Sequence, residues 1–348
     1  MGEKPFLTTR STRKMKERSS MPHAQIWTGR ALDPAALAIL EELATIVVSA
    51  TGERNDWYAQ ASGADVIIVS GQVFVTGEVM DRIGPRLRVI ARTGIGVDRV
   101  DLDEATRRGI LVVNTPDGPT ESTAEHAVAL LLNLCKQVMV GDRLLRSNSP
   151  FPVLTELSPG FEVAGSVLGL VGLGRIGSRV AVIARALGMR VRAFDPFIAP
   201  QRASALGVEL APSLAEVLSR AHVLSLHCPL TPETSHLLNA ERFNLMPRGS
   251  YLINVARGAL IDEAALLDAL RSGHLAGAAL DVFDPEPPLA NNPLFTLPNT
   301  ICTPHMGSYT AASVQRMQVM ACEQVASALR GERPVNLVNT DVWGHQRE

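Results

Sequence analysis

Cysteine is scarce in this 348-residue chain: Cys135, Cys228, Cys302 and Cys322 stand far apart and form no C-x-x-C pair. Such spacing argues against a structural zinc site or a disulfide framework and fits a reducing compartment. Aromatic residues make up 4% of the chain, and neither sign of charge dominates, with Lys+Arg 33 against Asp+Glu 35. A global positive field that would hold nucleic acid or an anionic membrane is therefore missing. No apolar run approaches the roughly 18 residues of a membrane span, and the first residues lack the apolar core of a secretory signal. H-E-x-x-H, a nucleophile elbow and a Walker loop are also absent, so no metal, acyl-serine or P-loop chemistry is expected. What the chain has is apolar content, 46%, enough for two ordinary domains with buried cores. A soluble, cytoplasmic protein that binds neither nucleic acid nor membrane is the expectation.

Residues 1–23 carry Lys4, Arg10, Arg13, Lys14, Lys16 and Arg18 against Glu3 and Glu17 and read as a basic, disordered tail. From Ala24 onward short apolar runs alternate with helical stretches, the pattern of parallel strands joined by crossover helices. A first series predicts strands at Ala24–Thr28, Ile46–Ser49, Asp65–Val69, Arg88–Ala91 and Ile110–Val113, with helices such as Asp33–Leu43 and Asp101–Arg108 between them. A long helix over Ser122–Arg146 follows, opened by a capping box of Ser122 and Glu125. It is apolar on several sides and needs wide cover from a core or a partner subunit. A second series predicts strands at Val167–Val171, Arg190–Phe194, Val223–Leu226, Tyr251–Asn254 and Gly277–Leu280. The last helix, about Thr310–Arg330, is free to return to the first unit. The fold class is α/β, with two doubly wound parallel sheets.

The sharpest motif runs from Val167 to Gly177, a buried-strand pattern leading straight into G-x-G-x-x-G. Gly172 permits the tight turn, Gly174 lets a pyrophosphate approach the backbone, and Gly177 lets helix and strand pack closely. Asp195 ends the next strand, where a carboxylate accepts hydrogen bonds from a ribose diol and repels a 2′-phosphate, favouring NAD over NADP. The competing reading of Asp195 is a turn-former before Pro196. The other glycine stretch, Gly94-Ile95-Gly96, lacks a third glycine. It reads either as a loop offering backbone N–H groups to a small anion or as a plain turn.

A nicotinamide cofactor acting on a carbonyl needs a cation to hold the substrate, a titratable group to exchange a proton, and a partner for that group. Arg257, in Asn254-Val255-Ala256-Arg257-Gly258, lies just beyond the carboxyl end of a predicted strand, where ligands sit in open sheets. An Arg there can grip a carboxylate through two parallel hydrogen bonds. His305 lies in a loop before the last helix, between Pro304 and a small-residue turn, and Glu286 is framed by Pro285, Pro287 and Pro288. By position alone each has a bland alternative: a surface salt bridge for Arg257, a solvated loop histidine for His305, a spacer loop for Glu286. His126, on the long helix, reads as packed or solvated, and His222 and His227 flank a strand without metal-ligand partners.

Taken together the motifs resemble the D-isomer-specific 2-hydroxyacid dehydrogenase family, most closely its phosphoglycerate-dehydrogenase-like members. The resemblance spans about residues 24–340. It is carried by Arg92-Thr93-Gly94-Ile95-Gly96-Val97-Asp98, Val113-Asn114-Thr115-Pro116, the glycine loop with Asp195, His227-Cys228-Pro229-Leu230, the Arg257 motif, Ala279-Leu280-Asp281-Val282-Phe283 and Pro304-His305-Met306-Gly307. It implies a Rossmann NAD domain, residues 119–302, inserted in a discontinuous, flavodoxin-like substrate domain of residues 24–118 and 303–340. It also implies that Arg257 orients a 2-oxo acid, that His305 is the acid/base and that Glu286 hydrogen-bonds that His. Cofactor contacts are implied at Ile95, Gly172, Gly174, Arg175, Ile176, Gly177, Asp195, Cys228, Val255, Ala256, Asp281 and Gly307. Substrate contacts are expected at Ser70, Gly94, Ile95 and Gly96 beside Arg257, and a homodimer through the NAD domain would cover the long helix.

Two departures bear on the substrate. The loop after the third strand reads Ser70-Gly71-Gln72 where phosphoglycerate dehydrogenases commonly carry an Arg for the phosphate, which argues against phosphoglycerate itself. With the chain stopping near residue 348, the regulatory domain of many such enzymes is not expected, and formate oxidation is disfavoured because Glu286 stands where formate dehydrogenases usually have Gln. The expected activity is NAD-dependent interconversion of a 2-oxo acid and a D-2-hydroxy acid. Its rival from another class is a non-enzymatic, NAD(H)-sensing, corepressor-like binding protein on the same scaffold, which turnover with a panel of 2-oxo acids would separate.

Overall fold

A computed structural model describes residues 23–53, 56–147 and 159–347. The basic tail expected over residues 1–23 lies outside the described residues, His23 apart. Strands covered on both faces read as near-continuous apolar runs; β3 (Val66–Ser70) is such a run, and β4 (Val89–Thr93) is equally buried but carries Arg92 inside, donating to the Val73 carbonyl at 2.8 Å. With β1 (Ala24–Thr28), β2 (Ala44–Val48) and β5 (Leu111–Val113) they form a parallel sheet in the order β2-β1-β3-β4-β5. The connecting helices are α1 (Pro34–Leu40), α2 (Trp57–Gln60), α3 (Gly77–Ile83) and α4 (Leu102–Arg107). Local chemistry sets where they start. Asp33 accepts the Ala35 N–H at 2.9 Å with Pro34 in the first turn, and Asp101 accepts the Glu104 N–H at 2.9 Å.

Helices α5 (Thr120–Lys136) and α6 (Val138–Arg146) lead to a second parallel sheet. It holds β6 (Val167–Val171), β7 (Arg190–Phe194), β8 (Glu209–Leu210), β9 (Val223–Leu226), β10 (Ser250–Asn254), β11 (Leu275–Leu280) and β12 (Thr300–Cys302), in the order β12-β11-β10-β9-β6-β7-β8. Its helices are α7 (Arg175–Ala186), α8 (Pro200–Ala205), α9 (Leu214–Leu218), α10 (Ala240–Leu245) and α11 (Glu263–Arg271). Leu130, Leu131 and Leu134 of α5 share one core with Val180 and Ala184 of α7 and Leu168 and Leu170 of β6. The last helix, α12 (Ala311–Leu329), returns to the first sheet, where Ala321, Cys322, Val325 and Ala326 pack on Ile26, Val66, Val89 and Val113. The molecule is thus an α/β protein of two doubly wound parallel-sheet domains.

Strand order reverses between β1 and β3 in one sheet and between β6 and β9 in the other. Crevices open at such points outside the carboxyl ends of the strands, so both domains present their loops to a shared cleft.

The long helix expected over Ser122–Arg146 departs from expectation at both ends. It starts at Thr120, and the Ser122 hydroxyl donates to the Gly307 carbonyl at 2.9 Å instead of forming a capping box. At Gln137 the backbone turns left-handed, φ 55°, and its N–H closes on the Asn133 and Leu134 carbonyls, ending α5 before α6 begins. No Gly or Pro marks that break, which is why the sequence pattern runs through it.

Candidate active site

A cleft of about 550 Å³ lies between the two sheets. Ser70, the Gly94–Gly96 loop, Ile176, Val255, Arg257, Asp281, His305 and Gly307 all line it, so residues separated by more than two hundred positions converge. Glu286 reaches His305 from a loop after β11 and lines the adjoining cavity.

His305 is held from two sides. Its backbone N–H donates to the Asp281 carbonyl at 2.7 Å in a left-handed conformation, φ 50°, and its Nδ1 lies 2.5 Å from Glu286 Oε1. A carboxylate only accepts, so Nδ1 carries the proton of this bond and Nε2 is left as the second, chemically available nitrogen. The other Glu286 oxygen, Oε2, lies 3.2 Å from Arg99 Nη2, and the Glu286 side chain is 10% exposed. Arg99 is fixed in turn by donating to the Gln72 carbonyl at 2.7 Å and by lying over the Phe74 ring. Sequence reasoning missed Arg99, which directly follows the Gly94–Asp98 motif.

Arg257 is clamped by Asp98: Nε lies 3.1 Å from both carboxylate oxygens and Nη2 lies 2.8 Å from Oδ1. Its Nη1 donates to its neighbour's carbonyl, Ala256, at 2.7 Å. Burial pushes the Asp98 carboxyl up, but the hydrogen bonds and charge of Arg257 outweigh it and hold the group below the ordinary carboxylate range. Gly96 leaves room for this clamp, because a Cβ there would displace the Arg257 guanidinium from Asp98.

Asp281, fully buried, organises the floor of the cleft. It accepts from Thr303 Oγ1 at 2.6 Å, Met306 N–H at 2.9 Å and Gly307 N–H at 2.8 Å, with His126 Nε2 3.4 Å away. Burial raises its pKa, yet the donors from His126, Thr303, Met306 and Gly307 prevail and leave it lowered. His126 is therefore part of the site, a role the sequence reading did not assign. The signal was present: Ser122, Thr123 and His126 form one polar cluster on α5 apart from its exposed Glu121 and Glu125, and that cluster meets the His305 loop.

The glycine loop has the form a dinucleotide requires. Gly172 adopts φ 95°, and a Cβ on it would lie 2.7 Å from the His227 carbonyl carbon and 2.8 Å from the Cys228 nitrogen. At Gly177 a Cβ would lie 2.3 Å from the Gly172 carbonyl oxygen, whereas Gly174 faces open space. No side chain caps the amino end of α7, which leaves its first N–H groups for a phosphate. Asp195 Oδ2 accepts the Leu173 N–H at 2.7 Å and Oδ1 the Phe197 N–H at 2.9 Å, so it braces the loop and keeps lone pairs for a diol. Arg175, at the start of α7, is 2.6 Å from Asp117. Burial pushes the Cys228 thiol up to about 11, so it brings no charge to the phosphates. These residues fit NAD.

Two expected substrate contacts are engaged elsewhere. The Ser70 hydroxyl donates to Glu53, and the Gly94 N–H donates to Thr115 Oγ1 at 2.8 Å. The N–H groups of Ile95 and Gly96 have no acceptor among the described residues and remain for an anion.

Residues 128–307 match the family model of the D-isomer specific 2-hydroxyacid dehydrogenase, NAD binding domain, and the chain belongs to that family, with NAD as its cofactor. Among individual relatives, it is 39% identical over 87% of its length to the D-3-phosphoglycerate dehydrogenase of Methanocaldococcus jannaschii, covering 57% of that protein. It is 41% identical over 89% of its length to the Mycobacterium leprae protein of the same name, covering 60% of it. The chain thus spans less than two thirds of these curated relatives. Among solved structures, the TT0316 protein of Thermus thermophilus superposes with TM-score 0.82 at 42% identity, over 90% of this chain and 99% of that one. A glyoxylate reductase from Paecilomyes thermophila superposes at 0.80 with 27% identity, over 91% and 99%.

Proposed function

We propose that this protein is an NAD-dependent dehydrogenase that interconverts a 2-oxo acid and the D-2-hydroxy acid. The observation that carries the reading is the convergence of Arg257, His305 and Glu286 on the cleft beside the glycine loop. Arg257, steadied by Asp98, holds the substrate carboxylate, with the free N–H groups of Ile95 and Gly96 as further donors. His305 holds a proton at Nε2 and gives it to the carbonyl oxygen during reduction, taking it back from the hydroxyl in the reverse direction. Glu286, accepting from Nδ1, fixes the ring's tautomer and aim. The uncapped amino end of α7 and the glycine loop would hold NAD, whose nicotinamide would supply or accept the hydride when bound. Asp281, Thr303 and His126 hold the cleft floor rigid, which keeps the acid/base nitrogen at one place relative to the substrate.

The experiment is oxidation of NADH by glyoxylate, hydroxypyruvate and pyruvate, with His305→Ala as the comparison. His305→Ala should lower kcat by about 10²–10⁴-fold while NADH still binds, measured by fluorescence. Unchanged turnover in that variant, or no turnover of any 2-oxo acid by the wild type, overturns the reading. We infer as well that the protein works as a homodimer, because Val138, Met139 and Leu145 of α6 are exposed and no residue of that helix is buried.

A further inference from the structure

The substrate side of the cleft contains a carboxylate that the mechanism above does not use. Glu53 lines both the main cleft and the cavity that adjoins it at His305. Its Oε1 accepts the Ser70 N–H at 2.6 Å, and its Oε2 accepts the Ser70 hydroxyl. Gly29 makes room for it: a Cβ there would stand 2.2 Å from Glu53 Cγ. The backbone and hydroxyl donors at the end of β3 are therefore already taken by an anion that belongs to the protein.

We propose that Glu53 sets substrate choice, accepting a hydrogen bond from the free C3 hydroxyl of a short 2-oxo acid and excluding its phosphate ester. The inference rests on the dehydrogenase reading and extends it to the distal end of the substrate. Each carboxylate oxygen has a second lone pair, so Glu53 can serve Ser70 and a hydroxyl together. A phosphate in the same place meets a like charge and finds the Ser70 donors occupied. Arg30, exposed and without an ion-pair partner among the described residues, lines the same two cavities, so the exclusion of the ester rests on the charge of Glu53 and on the occupied Ser70 donors, not on a lack of cations nearby.

The test compares hydroxypyruvate, its phosphate ester and glyoxylate as substrates, and titrates D-glycerate and its 3-phosphate calorimetrically into the NAD-loaded protein. The wild type should favour hydroxypyruvate over the ester by about 100-fold in kcat/KM, and Glu53→Gln should narrow that ratio by about 10-fold or more. Gly29→Ala should narrow it as well, since its methyl group displaces Glu53 without altering charge. The calorimetric preference for D-glycerate should follow the same order. Equal use of the ester by the wild type, or an unchanged ratio in Glu53→Gln, overturns the assignment. Glyoxylate has no distal group and separates the two readings. Wild-type turnover of glyoxylate with no change of ratio in the variants sinks the Glu53 assignment alone, whereas no turnover of any 2-oxo acid sinks the dehydrogenase reading and the assignment with it.

Discussion

Arg99 and His305 grip opposite oxygens of one carboxylate: Glu286 Oε2 lies 3.2 Å from Arg99 Nη2, and Oε1 lies 2.5 Å from His305 Nδ1. Arg99 follows β4 of the first sheet and Glu286 follows β11 of the second, so the contact ties one domain to the other at the acid/base. Arg99→Met keeps the stem of the side chain and removes the grip. Its kcat/KM should fall about 10–100-fold through misplacement of Glu286, and Glu286→Ala should cost at least as much. Steady-state kinetics on both variants checks this, and full activity in Arg99→Met would leave the contact without a functional role.

The Asp98–Arg257 pair gives a second prediction. Lysine at position 257 keeps the charge but cannot offer two parallel N–H groups to a carboxylate while also meeting Asp98. Arg257→Lys should raise KM for the 2-oxo acid about 10-fold or more, with NADH affinity little changed. Asp98→Asn should act in the same direction and less strongly, because the asparagine loses the charge that holds the guanidinium. Because the Asp98 carboxyl is held low, the wild-type clamp should persist as pH falls through the ordinary carboxylate range. A KM that rises steeply in that range would contradict this.

Much of this arrangement was legible in the sequence, and the parts that were not share a cause. The glycine loop is read easily because its chemistry is local: strand, turn and helix start lie within eleven consecutive residues, Val167–Gly177. The first strand, Ala24–Thr28, and the strand Val167–Val171 match the apolar runs residue for residue. Arg99 and Glu53 were not read, and His126 was read as packed or solvated, because each acquires its role from a tertiary partner that no local motif marks, Glu286, Ser70 and Asp281 respectively. The break at Gln137 was missed because a residue other than Gly adopts the left-handed cap. Ser122 was read as a cap because its spacing to Glu125 suits one, while tertiary contact with the Gly307 carbonyl took the hydroxyl instead.

Asp195 gives a test of cofactor choice. It braces the glycine loop through the Leu173 and Phe197 N–H groups, and an acidic residue after the second strand of a dinucleotide-binding unit favours a ribose diol over a 2′-phosphate. Asp195→Ser removes the charge and keeps an acceptor for the loop. The NADPH-to-NADH ratio of kcat/KM should rise about 10–100-fold, chiefly through loss of repulsion. Measurement with both cofactors against one 2-oxo acid decides it, and an unchanged ratio would remove Asp195 from cofactor selection.

His227 makes stability depend on pH in a stated window. Its backbone packs against Gly172, its Nε2 lies 2.8 Å from Ser225 Oγ, and its buried Nδ1 has no hydrogen-bond partner among the described residues. Burial disfavours the charged ring and lowers the pKa to about 4. An unfolded His titrates near 6.5, so between about pH 6.5 and pH 4 the unfolded chain takes up a proton that the native one refuses. Stability therefore falls as pH drops through that window, by up to about 3 kcal/mol from this group, and the contribution levels off below it. His227→Gln keeps a polar side chain and does not titrate. Its denaturant midpoint should decline less than that of the wild type over the same window, and parallel declines would show that His227 does not carry this pH dependence.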